Sequence, residues 1–331
     1  MKPVAAVLDL MPPASQQVIS DIFGRDFDIV FVDDNSDDAK RAAAKGATAL
    51  LTMWGAVDAE TLAAGAPDVR VVQKLGVGTD KIDSVAAEAH GVVVLKAAGI
   101  NADAVAELAV LLILAVGRYL PKATAAARTG AIAKEELRAE SFQLLDKTVG
   151  LLGLGHIGQA VARRLAPFGV TLIYHDLVQA PAEVEAACSV RFVSQDEVIE
   201  NSDVISLHLP STPATNKIIN AQTLSRTKPG LIVVNTARGS LVDEAALAAA
   251  IKDGRVLGAG LDVTAEEPLP VTSPLLELDR VVLTPHVGGA VANNFPRVID
   301  RAYRNVRAVL DGGNVAPGDV VTWPESAGAV R

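Results

Sequence analysis

Three polar side chains in the last third of the chain carry groups that work together in proton-coupled chemistry. Arg238 follows the strand-like run Leu231–Asn235, His286 follows the apolar run Val281–Leu283, and Glu267 lies between them. A guanidinium binds a carboxylate and polarises a carbonyl, an imidazolium protonates the carbonyl oxygen, and a carboxylate keeps that imidazole charged. Hydride transfer to a 2-oxo acid requires these groups, and we predict that the three residues are catalytic.

Each of the three residues also has a plainer interpretation. Arg238 would be a surface arginine, Glu267 a solvated acid beside Glu266, and His286 a histidine satisfied within a core. The position of Arg238 after a strand favours a ligand-binding role, because open α/β sheets bind ligands there. The proline that follows Glu267 favours it over Glu266 as the inward-facing acid, and the Thr-Pro-His pattern favours chemistry at His286.

A glycine-rich segment follows the strand-like run Thr148–Leu152 and leads directly into a helical pattern. It reads Gly153-Leu154-Gly155-His156-Ile157-Gly158. In this context the first glycine permits a tight turn, the second lets the backbone approach a pyrophosphate, and the third lets the helix pack on the strand. Asp176 lies 18 residues beyond the last glycine, near the spacing of about 20 at which an acid meets the ribose 2′-hydroxyl. Alone it would be a solvated loop acid; with the glycines it predicts NAD rather than NADP.

Two kinds of segment alternate along the chain and must position these side chains. Short Val/Ile/Leu runs predict strands, and Ala-rich stretches predict helices. The predicted strands include Val4–Leu8, Ile29–Val32, Val71–Leu75, Val92–Leu95, Val149–Leu152, Val170–Tyr174, Val204–Leu209, Leu231–Val234 and Val281–Leu283. The predicted helices are Asp37–Lys45, Val85–His90, Asn101–Arg118, Ile157–Phe168, Glu244–Asp253 and Asn293–Leu310. The alternation predicts an α/β fold with parallel sheets, and the continuously apolar strands indicate that both sheet faces are covered.

Two segments do not fit this alternation. Residues Pro121–Leu145 have only a weak pattern and are interpreted as a connector. After Asp311 a tail rich in Gly, Pro and Asn contains Trp323, which we interpret as a core residue, so the tail is expected to dock on the fold.

Length and composition exclude several classes of protein. The 331 residues suggest two domains, and 50% hydrophobic residues exclude wholesale disorder. The formal net charge of −9 gives no electrostatic basis for binding nucleic acid. A single cysteine, Cys188, forms no intrachain disulfide, and five scattered histidines offer no zinc spacing, so we expect no bound metal and a cytoplasmic location. The longest apolar run, Leu108–Gly117, is about half of the ~20 residues that a membrane span needs, and we expect neither a membrane segment nor an export signal.

Together these motifs resemble those of the NAD-dependent, D-isomer specific 2-hydroxyacid dehydrogenase family, over nearly the whole chain. The similarity is greatest to glyoxylate and hydroxypyruvate reductases and to phosphoglycerate dehydrogenase-like members. Besides the glycine fingerprint, the matching segments are Gly76–Asp83, Asn101–Glu107, Asn235–Gly239, Asp262-Val263, Glu267-Pro268 and Thr284–His286.

The resemblance implies a role for each matched residue. Arg238 would bind the substrate carboxylate and carbonyl, His286 would be the acid and base, and Glu267 would orient it. Asp262 would bind the nicotinamide carboxamide, and the loop from His208 would line the adenine side. The candidate cofactor-binding residues are Gly153, Gly155, His156, Ile157, Gly158, Asp176, His208, Pro210, Thr215, Thr236, Ala237, Arg238, Asp262, His286 and Gly288. The candidate substrate-binding residues are Met53, Val77, Gly78, Arg238 and His286.

The resemblance also implies an architecture of two doubly wound parallel-sheet domains. A Rossmann NAD-binding domain, residues 101–289, would be inserted into a flavodoxin-like substrate domain formed by residues 1–100 and 290–331. The active site would then lie in the cleft between the domains. Family members are commonly homodimers joined through the inserted domain, so the helix from Asn101 and the connector after it are the expected contact.

The loop after the third strand, residues Leu51–Gly55, restricts the class of substrate. Phosphoglycerate dehydrogenases of the family carry an arginine there to meet the phosphate, whereas Met53 and Trp54 of this chain are uncharged. Lys74 still offers a charge, so phosphoglycerate stays an alternative. Formate dehydrogenases carry glutamine where Glu267 stands. A small unphosphorylated 2-oxo acid such as glyoxylate, hydroxypyruvate or pyruvate is therefore preferred, and Met53 with Trp54 would tolerate a larger apolar side chain.

A function of another class remains open, because a fold and an intact site do not guarantee turnover. Some transcriptional co-repressors resemble this family, keep the same three catalytic positions and sense NAD. Such a protein would bind NADH and hardly turn over 2-oxo acids. The chain lacks the long peptide-like extensions of those proteins, which favours the enzyme.

Overall fold

The computed structural model describes residues 2–131 and 134–327. Contacts within the chain separate it into two compact units. Unit 1 comprises Met1–Asn101 with Ala290–Arg331, and unit 2 comprises Ala102–Gly289. Each unit contains one sheet with helices packed on it, which is the α/β class expected from the alternation of strand and helix patterns.

The strands are mostly three to five residues long and rich in Val, Ile and Leu. They are β1 (Val4–Val7), β2 (Asp28–Phe31), β3 (Ala49–Thr52), β4 (Val71–Lys74), β5 (Val93–Leu95), β6 (Thr148–Leu152), β7 (Thr171–His175), β8 (Val190–Phe192), β9 (Val204–Leu207), β10 (Leu231–Asn235), β11 (Val256–Leu261), β12 (Val281–Leu283) and β13 (Val320–Thr322).

The helices connect these strands. They are α1 (Pro13–Phe23), α2 (Asp37–Ala44), α3 (Ala59–Gly65), α4 (Ser84–Ala89), α5 (Ala102–Gly117), α6 (Leu120–Thr129), α7 (Lys134–Glu140), α8 (His156–Leu165), α9 (Ala182–Cys188), α10 (Gln195–Asn201), α11 (Ala221–Arg226), α12 (Glu244–Lys252) and α13 (Phe295–Asp311). In the described part of the chain no single helix is long and apolar enough to cross a bilayer, although α5 and α6 meet the criteria as a pair bent by 63°.

The sheet of unit 1 has the strand order β13-β5-β4-β3-β1-β2. Its neighbours are parallel except for β13, which pairs antiparallel with β5 at one edge. The strand comes from the C-terminal tail, and Asp319 just before it is fully buried. The Asp319 carboxylate accepts hydrogen bonds from the backbone N–H of Ala98 at 2.8 Å, Arg301 Nε at 2.6 Å and Asn305 Nδ2 at 3.0 Å. The three donors supply the hydrogen bonds that a buried carboxylate requires. They also fix the tail to unit 1.

The sheet of unit 2 is parallel throughout its described ladder and has the order β12-β11-β10-β9-β6-β7-β8. Alternate residues of a strand enter different cores: Ile232 and Val234 join one cluster, and Leu231 and Val233 join the other. Both faces are therefore covered. The chain winds outward from β6 to β8 and then returns to β9 beside β6. Ligands of open α/β sheets bind outside the strand ends at such a switch point.

The interpretation of Pro121–Leu145 as a weakly patterned connector is wrong for most of its length. It contains the rest of α6 and the whole of α7, while residues 132 and 133 lie outside the described ranges. Neither helix has a buried residue. A helix without a buried face shows no apolar periodicity, which is the signal by which a helix is recognised in sequence.

Candidate active site

The glycine fingerprint forms the turn between β6 and α8, at the switch point of the unit 2 sheet. Gly153 has φ +98°, a conformation that L side chains rarely adopt. Gly155 differs, because a Cβ on it would meet no atom within 4 Å and its φ of −70° suits any residue. Packing therefore does not explain the glycine at 155, whereas close approach of a ligand to the backbone does. His156 and Ile157 begin α8, and Gly158 lies in its first turn.

Asp176 follows β7 and is turned toward the glycine segment. Its carboxylate accepts hydrogen bonds from the backbone N–H of Leu154 and of Leu177, both at 2.8 Å. A carboxylate has about four acceptor positions, so capacity remains for a hydroxyl donor. Asp176, the predicted ribose ligand, is therefore hydrogen-bonded directly to the glycine segment that is predicted to bind the pyrophosphate.

The loop after β9 carries His208, Pro210 and Thr215. The Nε2 of His208 lies 2.9 Å from Ser206 Oγ, and Nδ1 is shielded from solvent without a hydrogen-bond partner among the described residues. Burial lowers the pKa of His208 to about 4, so the ring is neutral at physiological pH. Thr215 Oγ1 donates to the carbonyl of Pro210 at 2.7 Å, which ties the loop to itself.

The turn after β10 contains Thr236, Ala237 and Arg238 and is stabilised by a residue that the sequence analysis did not single out. Asn235 is fully buried at the strand end. Its Oδ1 accepts from the N–H of Ala237 at 3.0 Å, and its Nδ2 donates to the carbonyl of Arg238 at 2.8 Å. Arg238 Nη1 donates to the carbonyl of Ala237 at 2.6 Å. An asparagine directly after the apolar run Leu231–Val234 was the sequence signal available for this role.

His286 and Glu267 are in direct contact. His286 Nδ1 lies 2.8 Å from Glu267 Oε2, and the two side chains are 53% and 40% exposed. The other Glu267 oxygen accepts from the N–H of Thr264 at 3.3 Å. His286 has φ +54°, an uncommon conformation for a residue other than glycine, of the kind that clusters at functional sites. The imidazole and the acid predicted as a pair are therefore brought together.

Asp262 is buried beneath the segment that carries His286. Its carboxylate accepts from Thr284 Oγ1 at 2.6 Å and from the N–H groups of Val287 and Gly288, each at 2.8 Å. Its backbone carbonyl accepts from the N–H of His286 at 2.7 Å. Asp262 thus anchors the His286 segment, a task that the implied role at a carboxamide did not include.

The remaining candidate residues belong to unit 1. Met53 follows β3, and Val77 with Gly78 lies in the half-buried turn after β4. In the parallel ladder β3 and β4 are neighbours. The three residues therefore follow adjacent strand ends of their own sheet, where ligands of such sheets bind.

Several features of unit 2 fit a dinucleotide. The space beside Gly155 is open, and two polar atoms in predicted cofactor-binding residues, Thr236 Oγ1 and His208 Nδ1, are buried without a partner among the described residues. Buried polar atoms are normally paired, and a bound ligand is one way to satisfy them. Across residues 2–131 and 134–327, no group of three His, Cys, Asp or Glu side chains is arranged to hold a metal ion.

Comparison with known proteins identifies a matching family model, curated relatives and solved structures with a similar fold. Residues 110–288 match the family model described as "D-isomer specific 2-hydroxyacid dehydrogenase, NAD binding domain". D-3-phosphoglycerate dehydrogenase of Mycobacterium tuberculosis is 40% identical over 97% of this chain, which spans only 61% of that relative's length. Glyoxylate reductase of Thermofilum pendens is 40% identical over 77% of this chain and 76% of its own. The structure of an NAD-dependent formate dehydrogenase from Staphylococcus aureus in complex with NAD aligns with a TM-score of 0.84, at 27% identity, over 97% of this chain and 99% of that one.

Proposed function

The chain belongs to the family of D-isomer specific 2-hydroxyacid dehydrogenases and contains its NAD-binding domain, and from this we propose an oxidoreductase acting on a small acid. It transfers a hydride between NAD(H) and an unphosphorylated 2-oxo or D-2-hydroxy acid of the glyoxylate, hydroxypyruvate or pyruvate type. The observation that carries the proposal is the 2.8 Å contact between His286 and Glu267 in the unit that has the glycine fingerprint.

The proposed residues divide the reaction between binding and proton transfer. NADH, when bound, supplies the hydride. Arg238 binds the substrate carboxylate and polarises the carbonyl. Because Nδ1 of His286 is bonded to Glu267, Nε2 is the ring nitrogen that donates the proton to the carbonyl oxygen and takes it back in the oxidation. Glu267 stabilises the imidazolium, as a carboxylate stabilises a neighbouring cation.

The proposed division of labour follows the units. Residues 101–289 bind the cofactor, and residues 1–100 with 290–331 bind the substrate through Met53, Val77 and Gly78. The uncharged Met53 and Trp54 support an unphosphorylated acid. D-3-phosphoglycerate remains the second candidate, because four of the relatives are named as its dehydrogenase.

The proposal includes a homodimer in the cytoplasm with no nucleic-acid or membrane partner. On unit 2, Leu111, Leu120, Leu145 and Phe168 are large apolar side chains exposed to solvent. Leu145 and Phe168 also line a cavity of about 270 Å³ beside the end of α5. Exposed apolar side chains that lie together often mark a protein–protein contact, and this supports the homodimer in the proposal. The buried free thiol of Cys188 supports a cytoplasmic location. The net charge of −9 supports the absence of a nucleic-acid partner.

The proposal is tested by mixing the protein with NADH or NADPH and following cofactor oxidation with glyoxylate, hydroxypyruvate, pyruvate, phenylpyruvate and 3-phosphohydroxypyruvate. We expect rapid oxidation of NADH with one of the unphosphorylated acids. His286→Gln should lower kcat by about 10² to 10⁴, the usual contribution of a general acid, while NADH still binds. His90→Gln, at an exposed histidine of unit 1, is the matched control. Tight NADH binding without turnover of any acid would instead support a dinucleotide-sensing binding protein.

A further inference from the structure

The loop Met53–Gly55, which follows β3 in unit 1, is held by one buried carboxylate. Asp9, two residues beyond β1, is fully buried. Its Oδ2 accepts from the N–H of Met53 at 2.5 Å, and its Oδ1 accepts from Gly55 at 2.5 Å and Trp54 at 3.2 Å. All three backbone donors of the loop therefore converge on a single side chain.

The carbonyl groups of the same three residues are bound as well. Lys74 Nζ donates to the carbonyl of Met53, and Lys81 Nζ lies 3.4 Å from that of Trp54. Thr52 Oγ1 donates to the carbonyl of Gly55 at 2.9 Å. Every backbone polar group of the tripeptide thus has a side-chain partner, which is unusual for a surface turn, where water serves most such groups.

This arrangement leaves the backbone of the loop little freedom while its side chains remain available. Trp54 is 47% exposed, and Met53 packs partly against the core of unit 1. A charged acceptor forms stronger hydrogen bonds with these partly buried N–H donors than a neutral one, and its removal leaves the donors without their protein partner. A loop held in this way binds a ligand without first paying the entropy of ordering.

We propose that Asp9 is a positioning residue that fixes the Met53–Gly55 loop. Through the loop it determines which side chains are accepted on a 2-oxo acid substrate. The inference rests on the proposed function, since it assigns the side-chain end of the substrate to this loop. Met53 and Trp54 provide an apolar surface for an alkyl or aryl group. A substrate without a side chain, such as glyoxylate, has no group to pack against this surface and therefore depends on the loop less.

The kinetic test compares wild type with Asp9→Asn. In this variant an amide NH2 group, which is a donor, replaces one of the two oxygens that accept hydrogen bonds from the loop. For the best substrate among pyruvate and phenylpyruvate we expect KM to rise at least about fivefold, because ordering of the loop is lost. For glyoxylate KM should change less than about twofold, and kcat for both acids should stay within about threefold. Asp34→Asn is the control, because Asp34 is an exposed carboxylate of unit 1 that also accepts a backbone N–H, from Ser36 at 2.6 Å. An equal rise in KM for both acids, or no rise, would overturn the proposal.

A second variant keeps the buried charge and disturbs only its contact. A Cβ on Gly55 would lie 2.9 Å from Asp9 Oδ1, so Gly55→Ala should push the loop away from the carboxylate. If Asp9→Asn does not fold, Gly55→Ala should still give the selective rise in KM, and unchanged KM values would overturn the proposal.

A measurement without turnover separates this inference from the proposed function. In a Trp323→Phe background Trp54 is the only tryptophan, because the chain has two. Fluorescence anisotropy of Trp54 should fall in Asp9→Asn and not in Asp34→Asn. An unchanged anisotropy would show that Asp9 does not hold the loop. If wild type turned over none of the acids, the proposed function would fail and the selectivity role with it, whatever the anisotropy.

Discussion

Asp262 and Glu267 are two acids of the segment that follows β11, and their surroundings give them different tasks. Asp262 is 2% exposed, and its oxygens accept from one hydroxyl and two backbone N–H groups of a single segment. Glu267 is 40% exposed and reaches the ring of His286. A buried carboxylate must be satisfied within the fold, whereas an accessible one can respond to a change of charge beside it. Residue type alone predicts two acids, and burial decides which of them acts on the imidazole.

His208 makes the stability of the protein depend on pH. In the unfolded chain its pKa is the ordinary 6.5, and burial lowers the pKa of the folded-state group to about 4. Above pH 6.5 both states carry a neutral ring, so the contribution is complete. As the pH falls from 6.5 toward 4, the ring is protonated in the unfolded chain but stays neutral in the folded chain. The free energy of unfolding therefore decreases.

The loss assigned to His208 between pH 7 and pH 5 is about 2 kcal/mol. We expect His208→Gln to lack this part of the pH dependence, so that its free energy of unfolding in urea declines less than that of wild type over the same range. His90→Gln, at an exposed histidine, should keep the wild-type slope. Equal slopes for wild type and His208→Gln would show that the ring is protonated equally in both states.

At the scale of elements, the turns after β10 and β11 are joined by close packing and by a hydrogen bond. Gly239, next to Arg238, packs so closely on Thr264 that a Cβ would lie 1.9 Å from its carbonyl oxygen. Glu244, the first residue of α12, accepts from the N–H of Ala265 at 2.6 Å. The β11 turn that carries Glu267 is therefore fixed to the start of a helix that follows Arg238 closely.

Removal of this link should loosen Glu267. We expect Glu244→Ala to lower kcat for the 2-oxo acid about tenfold with little change in NADH affinity, because a small displacement of a catalytic group is costly. Glu244→Gln retains the acceptor oxygen and should stay within about twofold of wild type. Glu183→Ala removes an exposed acid from the first turn of α9 and serves as the control. Hydrogen exchange over residues 263–268 should increase only in Glu244→Ala; no increase there would contradict the link.

The elements that could be predicted from the sequence are those with a local signal. The strand-like run before Gly153 and the helix after it follow from apolar runs and glycine spacing, and the α/β class is confirmed. The helices α6 and α7 could not be recognised, because nothing in them is buried. The edge strand β13 is three residues long and depends on Asp319, whose partner Ala98 is 221 residues away in the sequence. The contacts of Asp9 and Glu244 could not be predicted either, because both side chains bind backbone groups of turns that only the fold brings near.

At the scale of the molecule, one unit is continuous in the chain and the other is not. Both core clusters of unit 2 and all strands of its sheet lie between Ala102 and Gly289. Unit 1 instead draws α13 and β13 from the end of the chain: Val298, Ile299 and Val306 of α13 enter the core that β1 and β4 also line. The continuous unit has what a domain needs to fold alone, and the N-terminal part of unit 1 does not.

We therefore expect a fragment of residues 102–289 to fold and to bind NADH. Its affinity should lie within about tenfold of that of the whole chain, since the glycine segment, Asp176 and the loop from His208 are all present. It should turn over no 2-oxo acid, because the proposed substrate residues Met53, Val77 and Gly78 are missing. Circular dichroism and NADH fluorescence of the purified fragment test this, with residues 1–101 as the counterpart expected to remain unfolded. A fragment 102–289 without cooperative unfolding would mean that the Rossmann unit depends on the rest of the chain for its stability, and that the cores of the two units are not independent.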